Sequence, residues 1–268
     1  MNLKNTWMAL FALVLCLNYA SAQTEKYELK ENIAYRNNPS DAYAKSRCKL
    51  DLYYPKDKGF ATIVWFHGGG LTGGEKYIPE GLKNKGVAVA AVNYRLSPKA
   101  NHPAYIDDAA ASVAWVFDHI EEFGGDPSKI YVSGHSAGGY LALMVGLDEQ
   151  YLQKYNADVN KVKAYFPISG QTITHNTVRK ELGRPENVPF ANEFAPLNHV
   201  KKDTPPFLLI TGDRTKEIPS RYMENAYLYE ALKDVGNDKI TLYEEDGFDH
   251  NSVVEPACSL IIKAIKDN

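Results

Sequence analysis

Gly134-His135-Ser136-Ala137-Gly138 sets a serine between two glycines where a strand-like run, Ile130–Ser133, gives way to a helix-like one, Tyr140–Leu147. A serine on so sharp a strand-to-helix turn adopts strained backbone angles, and glycines on either side let neighbouring backbone pass without a Cβ clash. The turn lifts the hydroxyl above the sheet and sets it at a helix N-terminus, whose partial positive charge favours a developing anion. The short pattern G-x-S-x-G also occurs by chance; the strand before it and the helix after it make it specific. A second group, His67-Gly68-Gly69-Gly70, follows the strand-like run Ala61–Phe66. Attack of a serine on an ester carbonyl creates an oxyanion that needs pre-aimed donors about 3 Å away, and glycine N–H groups can approach that closely. Gly69 and Gly70 are assigned as these donors, joined by the N–H of Ala137. His67 is expected to brace the loop by hydrogen bonding.

A serine nucleophile needs a base, and seven histidines are present. In strand–helix proteins with such an elbow the order is serine, acid, histidine, which leaves His175, His199 and His250. The first two fall in a proline-rich stretch. His250 lies in the loop Asp246-Gly247-Phe248-Asp249-His250, between the strand-like run Lys239–Glu244 and the last helix, and is the expected base. The acid belongs in the loop after Phe207–Thr211, which reads Gly212-Asp213-Arg214-Thr215-Lys216-Glu217-Ile218-Pro219. Glu217 has the longer side chain and is favoured. Asp213 stays open, although next to Arg214 it could equally be held in an ion pair, and a displaced or missing acid is the third alternative.

Gly68, Gly70 and Gly73 also spell G-x-G-x-x-G after a strand. That dinucleotide fingerprint wants a helix starting inside it and an acid at the end of the next strand. The next strand ends at Asn93, Arg95 leaves only an NADP variant, and the serine elbow would have no role.

The elements that must position these residues alternate along the chain. Strand-like runs are Lys49–Tyr54, Ala61–Phe66, Val87–Tyr94, Ile130–Ser133, Val162–Ile168, Phe207–Thr211 and Lys239–Glu244, several of them apolar throughout, as central strands covered on both faces are. Helical periodicity marks Ala104–Phe123, Arg221–Val235 and Val253–Ile265. This alternation implies a largely parallel, doubly wound sheet with right-handed crossovers. Residues 171–206 break the rhythm with several prolines and read as a small insertion before the penultimate strand, over the carboxyl edge of the sheet where ligands bind in such folds.

The 268 residues are 44% hydrophobic and 24% charged, a composition for one α/β domain with a large core. A formal charge of -3, with both signs mixed along the chain, excludes a basic stripe for nucleic acid. Lys4, the apolar run Trp7–Leu17 and Ala20-Ser21-Ala22 compose an export signal, with cleavage expected before Gln23. The run is shorter than the roughly 20 apolar residues of a spanning helix, so residues 23–268 are expected as one domain, released to the periplasm or secreted, with no membrane association after cleavage. Cys48 and Cys258 then remain, and free buried thiols are expected.

With these residues in hand, a resemblance emerges. HGGG after a strand, VNYRLSP at 92–98, GGDPSKIYVSGHSAGG at 124–139 and GFDH at 247–250 resemble the esterase/lipase branch of the α/β-hydrolases, hormone-sensitive-lipase-like and feruloyl/acetyl carbohydrate esterases above all, from about Leu50 to the C-terminus. The resemblance implies an α/β-hydrolase sheet of about eight strands with helices on both faces. It also implies a carboxylic-ester hydrolase that forms an acyl-enzyme at Ser136, with no metal and no cofactor, on a small-molecule or glycan ester. Many relatives carry an aspartate where this chain has Thr215, a departure that touches only the acid. The large helical cap of lipase-like members looks absent, which favours short acyl groups. A peptidase of the prolyl-oligopeptidase kind shares the fold but normally carries a propeller for which there is no room. A binding protein on a dead hydrolase scaffold typically loses the serine or the histidine, and both are present.

Overall fold

Strands β3 (Phe60–Phe66) and β4 (Val87–Val92) are buried at every residue, which explains why their sequences are apolar without alternation: a helical layer covers each face. The structure is a computed structural model that describes residues 26–36 and 41–267. Among these residues, one eight-stranded sheet contains β1 (Tyr27–Ala34), β2 (Lys49–Pro55), β3, β4, β5 (Gly125–His135), β6 (Tyr165–Ile168), β7 (Phe207–Gly212) and β8 (Ile240–Glu245). The spatial order is β1-β2-β4-β3-β5-β6-β7-β8. From β4 to β8 every pairing is parallel; β1–β2 and β2–β4 are antiparallel. The helices are α1 (Ala42–Arg47), α2 (Ala104–His119), α3 (Ala137–Leu147), α4 (Gln150–Gln153), α5 (Asn176–Glu181), α6 (Arg221–Asp234) and α7 (Val254–Asp267).

Successive side chains of a strand point to opposite faces, and the two faces have separate cores. Val64 and Phe66 of β3 pack with Ile106 and Val113 of α2, Leu141 and Val145 of α3, and Leu228 of α6. Ile63 and Trp65 pack with Ala257, Ile261 and Ile262 of α7. Cys48 belongs to the first core and Cys258 to the second, so the sheet separates the two free, buried thiols.

Three differences from the expected elements have local causes. The pattern expected seven runs, and β1 escaped it because this edge strand shows solvent a mostly polar sequence; its register breaks between Lys30 and Ile33, where Asn32 takes a φ of 58°. β6 begins at Tyr165 rather than Val162, since residues 159–161 form a 3₁₀ turn that buries Val159 and Val162 without strand pairing. α2 gives way to a 3₁₀ turn over Ile120–Phe123, which ends at Gly124 with φ 92°.

The insertion, 171–206, holds only α5 and a 3₁₀ turn, Pro196–His199. It is fastened to the sheet's carboxyl edge: Thr177 Oγ1 donates to Gly70 O at 2.5 Å, Tyr140 of α3 donates to Phe194 O at 2.8 Å, and His102 Nδ1 lies 2.8 Å from Glu181 Oε2.

Candidate active site

Strand β5 runs straight into α3 through Ser136, whose φ of 56° and ψ of -115° lie outside the regions favoured by a non-glycine residue. Such a turn holds only if backbone can close around it. A Cβ on Gly138 would stand 2.0 Å from Phe66 O at the end of β3, and one on Gly134 would stand 2.6 Å from the backbone of Gly138. The two flanking glycines are therefore required by contact, as well as by sequence pattern. Ser136 N–H donates to Ile168 O of β6 at 2.8 Å, tying the elbow to the neighbouring strand.

His250 approaches from the loop between β8 and α7. Its Nε2 is 2.9 Å from Ser136 Oγ, and its Nδ1 is 2.8 Å from Glu217 Oε2. His135 Nε2–H donates to the carbonyl of His250 at 2.6 Å. A carbonyl can only accept, so His135 carries its proton on Nε2; burial holds its pKa down to about 4, which keeps the ring neutral. At the end of β7, a Cβ on Gly212 would meet Phe248 O at 2.6 Å, and Asp213 N–H donates to that same carbonyl at 2.8 Å. The loops bearing Glu217 and His250 are thus locked together.

The structure brings Glu217, rather than Asp213, to His250. After Asp213 the chain makes a helical turn, with Lys216 N and Glu217 N both donating to Asp213 O at 2.8 Å, and this turn swings Glu217 back toward His250. Burial raises the carboxyl, but the hydrogen bonds from His250 and Ser169, with the His250 charge and the Ile218 N–H, outweigh it and bring the pKa to about 2. Glu217 is therefore charged at neutral pH. Asp213 is occupied elsewhere: it accepts from Thr215 N at 2.8 Å, Thr215 Oγ1 at 2.6 Å and Gly247 N at 3.0 Å, bonds that hold its carboxyl well below the usual range. The ion pair with Arg214 does not form, because Arg214 forks onto Glu244, Nη2 to Oε2 at 2.5 Å.

In the loop after β3, Gly69 and Gly70 have φ of 108° and 62°, and a Cβ on Gly69 would stand 2.2 Å from Gly73 O. Gly68 packs directly on the elbow, a Cβ there standing 3.4 Å from that of Ser136. The N–H groups of Gly69, Gly70 and Ala137 hydrogen-bond to no acceptor among the described residues, so they remain open to an external oxygen. Behind them His67 Nδ1–H donates to Gly68 O at 2.6 Å, its ring stacks on Tyr94 at 4.4 Å, and burial holds its pKa down to about 4. It braces the loop as a neutral ring.

His175 and His199 stand apart from the serine. The first is buried and accepts from Thr177 N at 3.2 Å, capping α5; the second lies 2.7 Å from Glu193 O. The sequence pattern did not point to Ser169, Arg221 or His135. Their contacts depend on which strand ends lie side by side, which no motif in the chain encodes. Among the described residues no group of His, Cys, Asp and Glu is arranged to hold a metal ion, and no helix is long and apolar enough to cross a membrane.

Comparison with known proteins agrees with this architecture. A truncated carbohydrate esterase from gut microbiota superposes with a TM-score of 0.73 at 21% identity, over 90% of this chain and 96% of the other, which shows a shared α/β-hydrolase fold. A probable isoprenylcysteine alpha-carbonyl methylesterase of Arabidopsis thaliana is 28% identical over 81% of this chain and 50% of its own length. The probable carboxylic ester hydrolase LipM of Mycobacterium tuberculosis is 30% identical over 63% of this chain and 46% of its own. The chain thus spans about half the length of the curated relatives it matches. Residues 50–232, more than half of the sequence and inclusive of HGGG, the serine elbow and Glu217, match the BD-FAE family, and the chain belongs to that family.

Proposed function

We propose that this protein hydrolyses carboxylic esters through an acyl-enzyme on Ser136, with His250 as general base and acid, Glu217 as the carboxylate that orients it, and the N–H groups of Gly69, Gly70 and Ala137 as the oxyanion hole. The observation that carries the reading is the unbroken chain Ser136 Oγ to His250 Nε2, 2.9 Å, and His250 Nδ1 to Glu217 Oε2, 2.8 Å. Oγ attacks the ester carbonyl carbon while its proton passes to Nε2. The tetrahedral oxyanion collapses, and Nε2 returns the proton to the departing alkoxide. Water then repeats the sequence on the acyl-serine and frees the acid. Throughout, Glu217 remains ionised and stabilises the imidazolium without taking its proton.

Short acyl groups fit best. With one six-residue helix, the insertion is short for building a deep apolar tunnel and suits a wall on one side of the site. A tunnel would add about 0.8 kcal/mol of binding per buried CH₂, so kcat/KM would climb steadily with chain length. Across p-nitrophenyl acetate, butyrate, octanoate and palmitate the expected maximum is at two to four carbons; a maximum at octanoate or beyond refutes the open site. Ser136→Ala in the same assay should lose activity by roughly 10⁶-fold while staying folded. Acetyl or feruloyl esters of carbohydrates are the proposed natural class. This rests on BD-FAE membership and the motif resemblance, and the fold shared with a carbohydrate esterase is compatible with it. Export with cleavage before Gln23 completes the proposal, though residues 1–25 lie outside the described ones; intact mass of the exported product should start at or near Gln23, and retention of Met1 overturns it.

A further inference from the structure

Ser169 stands at the carboxyl end of β6, fully buried, with a φ of 49°. A serine adopts this left-handed conformation only where its surroundings impose it. Here each of its polar groups is engaged. Its N–H donates to Ile210 O of β7 at 2.8 Å, its carbonyl accepts from Arg221 Nη1, and its hydroxyl donates to Glu217 Oε1. Arg221, the first residue of α6, is itself buried, has no carboxylate within ion-pair distance among the described residues, and leaves its Nε without a partner. A buried guanidinium is costly unless it is paired and hydrogen-bonded; the acids whose charges act on Arg221 are Glu224 and then Glu217, and its hydrogen bond to Ser169 O ties it to the residue that holds Glu217.

We propose that Ser169 is a positioning residue for the acid: its hydroxyl holds Oε1 of Glu217 so that Oε2 faces His250, and Arg221 holds Ser169 in the backbone conformation that aims the hydroxyl. This rests on the catalytic reading of Glu217 given above. Oε2 also accepts from Ile218 N at 2.9 Å, while Oε1 has, among the described residues, only Gly212 N at 3.3 Å besides Ser169. Without the hydroxyl the carboxylate can swing about its last bond. Its anionic form also loses a donor, so the Glu217–His250 pair binds its first proton at a higher pH. The other ionisable groups that act on the pair are His135 from β5, Arg221 from α6 and Asp249 from the loop before α7, while Glu224 from α6 and His175 from the insertion act on Arg221 behind it; none of these is altered by substitution at 169.

Two variants separate hydroxyl from backbone. Ser169→Ala removes the hydroxyl and keeps the strain; Ser169→Gly removes the hydroxyl and relieves the strain, because glycine takes φ 49° freely. Both should show, with p-nitrophenyl acetate, a KM within about twofold of wild type, kcat lower by roughly 10- to 100-fold, and an acid limb of the pH profile displaced upward by about half a unit to one unit. A Gly variant with wild-type kcat and limb, or one whose kcat falls with no shift of the limb, overturns the proposal. So does loss of a cooperative thermal transition in both variants, which would make Ser169 a residue of the fold. Glu217→Gln measured alongside distinguishes the two levels. If it is as active as wild type, the acid itself is misassigned; if it is crippled while Ser169→Gly is unaffected, only the role of Ser169 falls.

Discussion

Asp213 and Glu217 lie four residues apart on the turn after β7, and the hydrogen bonds each accepts separate their tasks. Asp213 gathers three donors from Thr215 and Gly247 and ties its own loop to the loop of His250. Glu217 turns Oε2 to His250, with Ile218 N–H as that oxygen's other donor. Glu217→Gln should therefore lower kcat by roughly 10³- to 10⁴-fold, since only the paired carboxylate fixes the tautomer and stabilises the imidazolium. Asp213→Asn should cost less than about tenfold in kcat, with the main loss in thermal stability, about 1–2 kcal/mol for a weakened turn anchor. Steady-state kinetics and thermal melts of the two variants check this ranking; the reverse order moves the acid to Asp213. The sequence pattern favoured Glu217 for its reach, and it is Glu217 that lies 2.8 Å from His250 Nδ1; the pattern left Asp213 open because the direction of a side chain on a short turn is set by the turn's own hydrogen bonds.

Glycine decides how closely the elements approach. At Gly138 a methyl group would be driven into Phe66 O at 2.0 Å, where α3 crosses the end of β3 deep in the core. Gly138→Ala should push the helix off the strand and destabilise the whole fold, by about 1–3 kcal/mol on the scale of overpacked cores. Gly69→Ala is different in kind. Its φ of 108° and its contact with Gly73 O belong to a loop, so Tm should move little while kcat falls by roughly 10²- to 10³-fold, because the displaced loop turns the N–H proposed as an oxyanion donor out of line. Equal effects of the two on Tm would mean that the loop is part of the folding core. These glycines were legible in the chain, since both sit in motifs. β1 was not, because a strand with one edge in solvent has no apolar stripe to betray it.

Three histidines are buried as neutral rings: His67 and His135, held down to about 4, and His175, held down to about 3, each chiefly by burial. Their folded pKa values lie below the ordinary 6.5, so the unfolded chain takes up protons first as pH falls and stability declines from about pH 6.5 toward 4. Each shift corresponds to about 3–5 kcal/mol, and together they approach the total stability of a typical domain, 5–15 kcal/mol. Glu217, held down to about 2, adds stability above its unfolded value near 4.5 that is lost as pH falls toward 2. Far-ultraviolet circular dichroism across a pH series should find acid unfolding with a midpoint between about 4 and 5.5; a native spectrum at pH 3.5 would refute it.

Local chemistry was enough to mark the strand-to-helix turn at Ser136, the glycine loop, the histidine that meets Ser136 and the alternation of strand and helix, because each is written in contiguous residues whose types answer a local demand: φ beyond the reach of a side chain, an N–H without a Cβ beside it, an apolar run covered on both faces. Only the tertiary structure decided which carboxylate meets His250, that Ser169 and Arg221 stand behind it, and that Cys48 and Cys258 lie on opposite faces of the sheet. Those are contacts between residues far apart in sequence, and they arise from the order in which the strands pair.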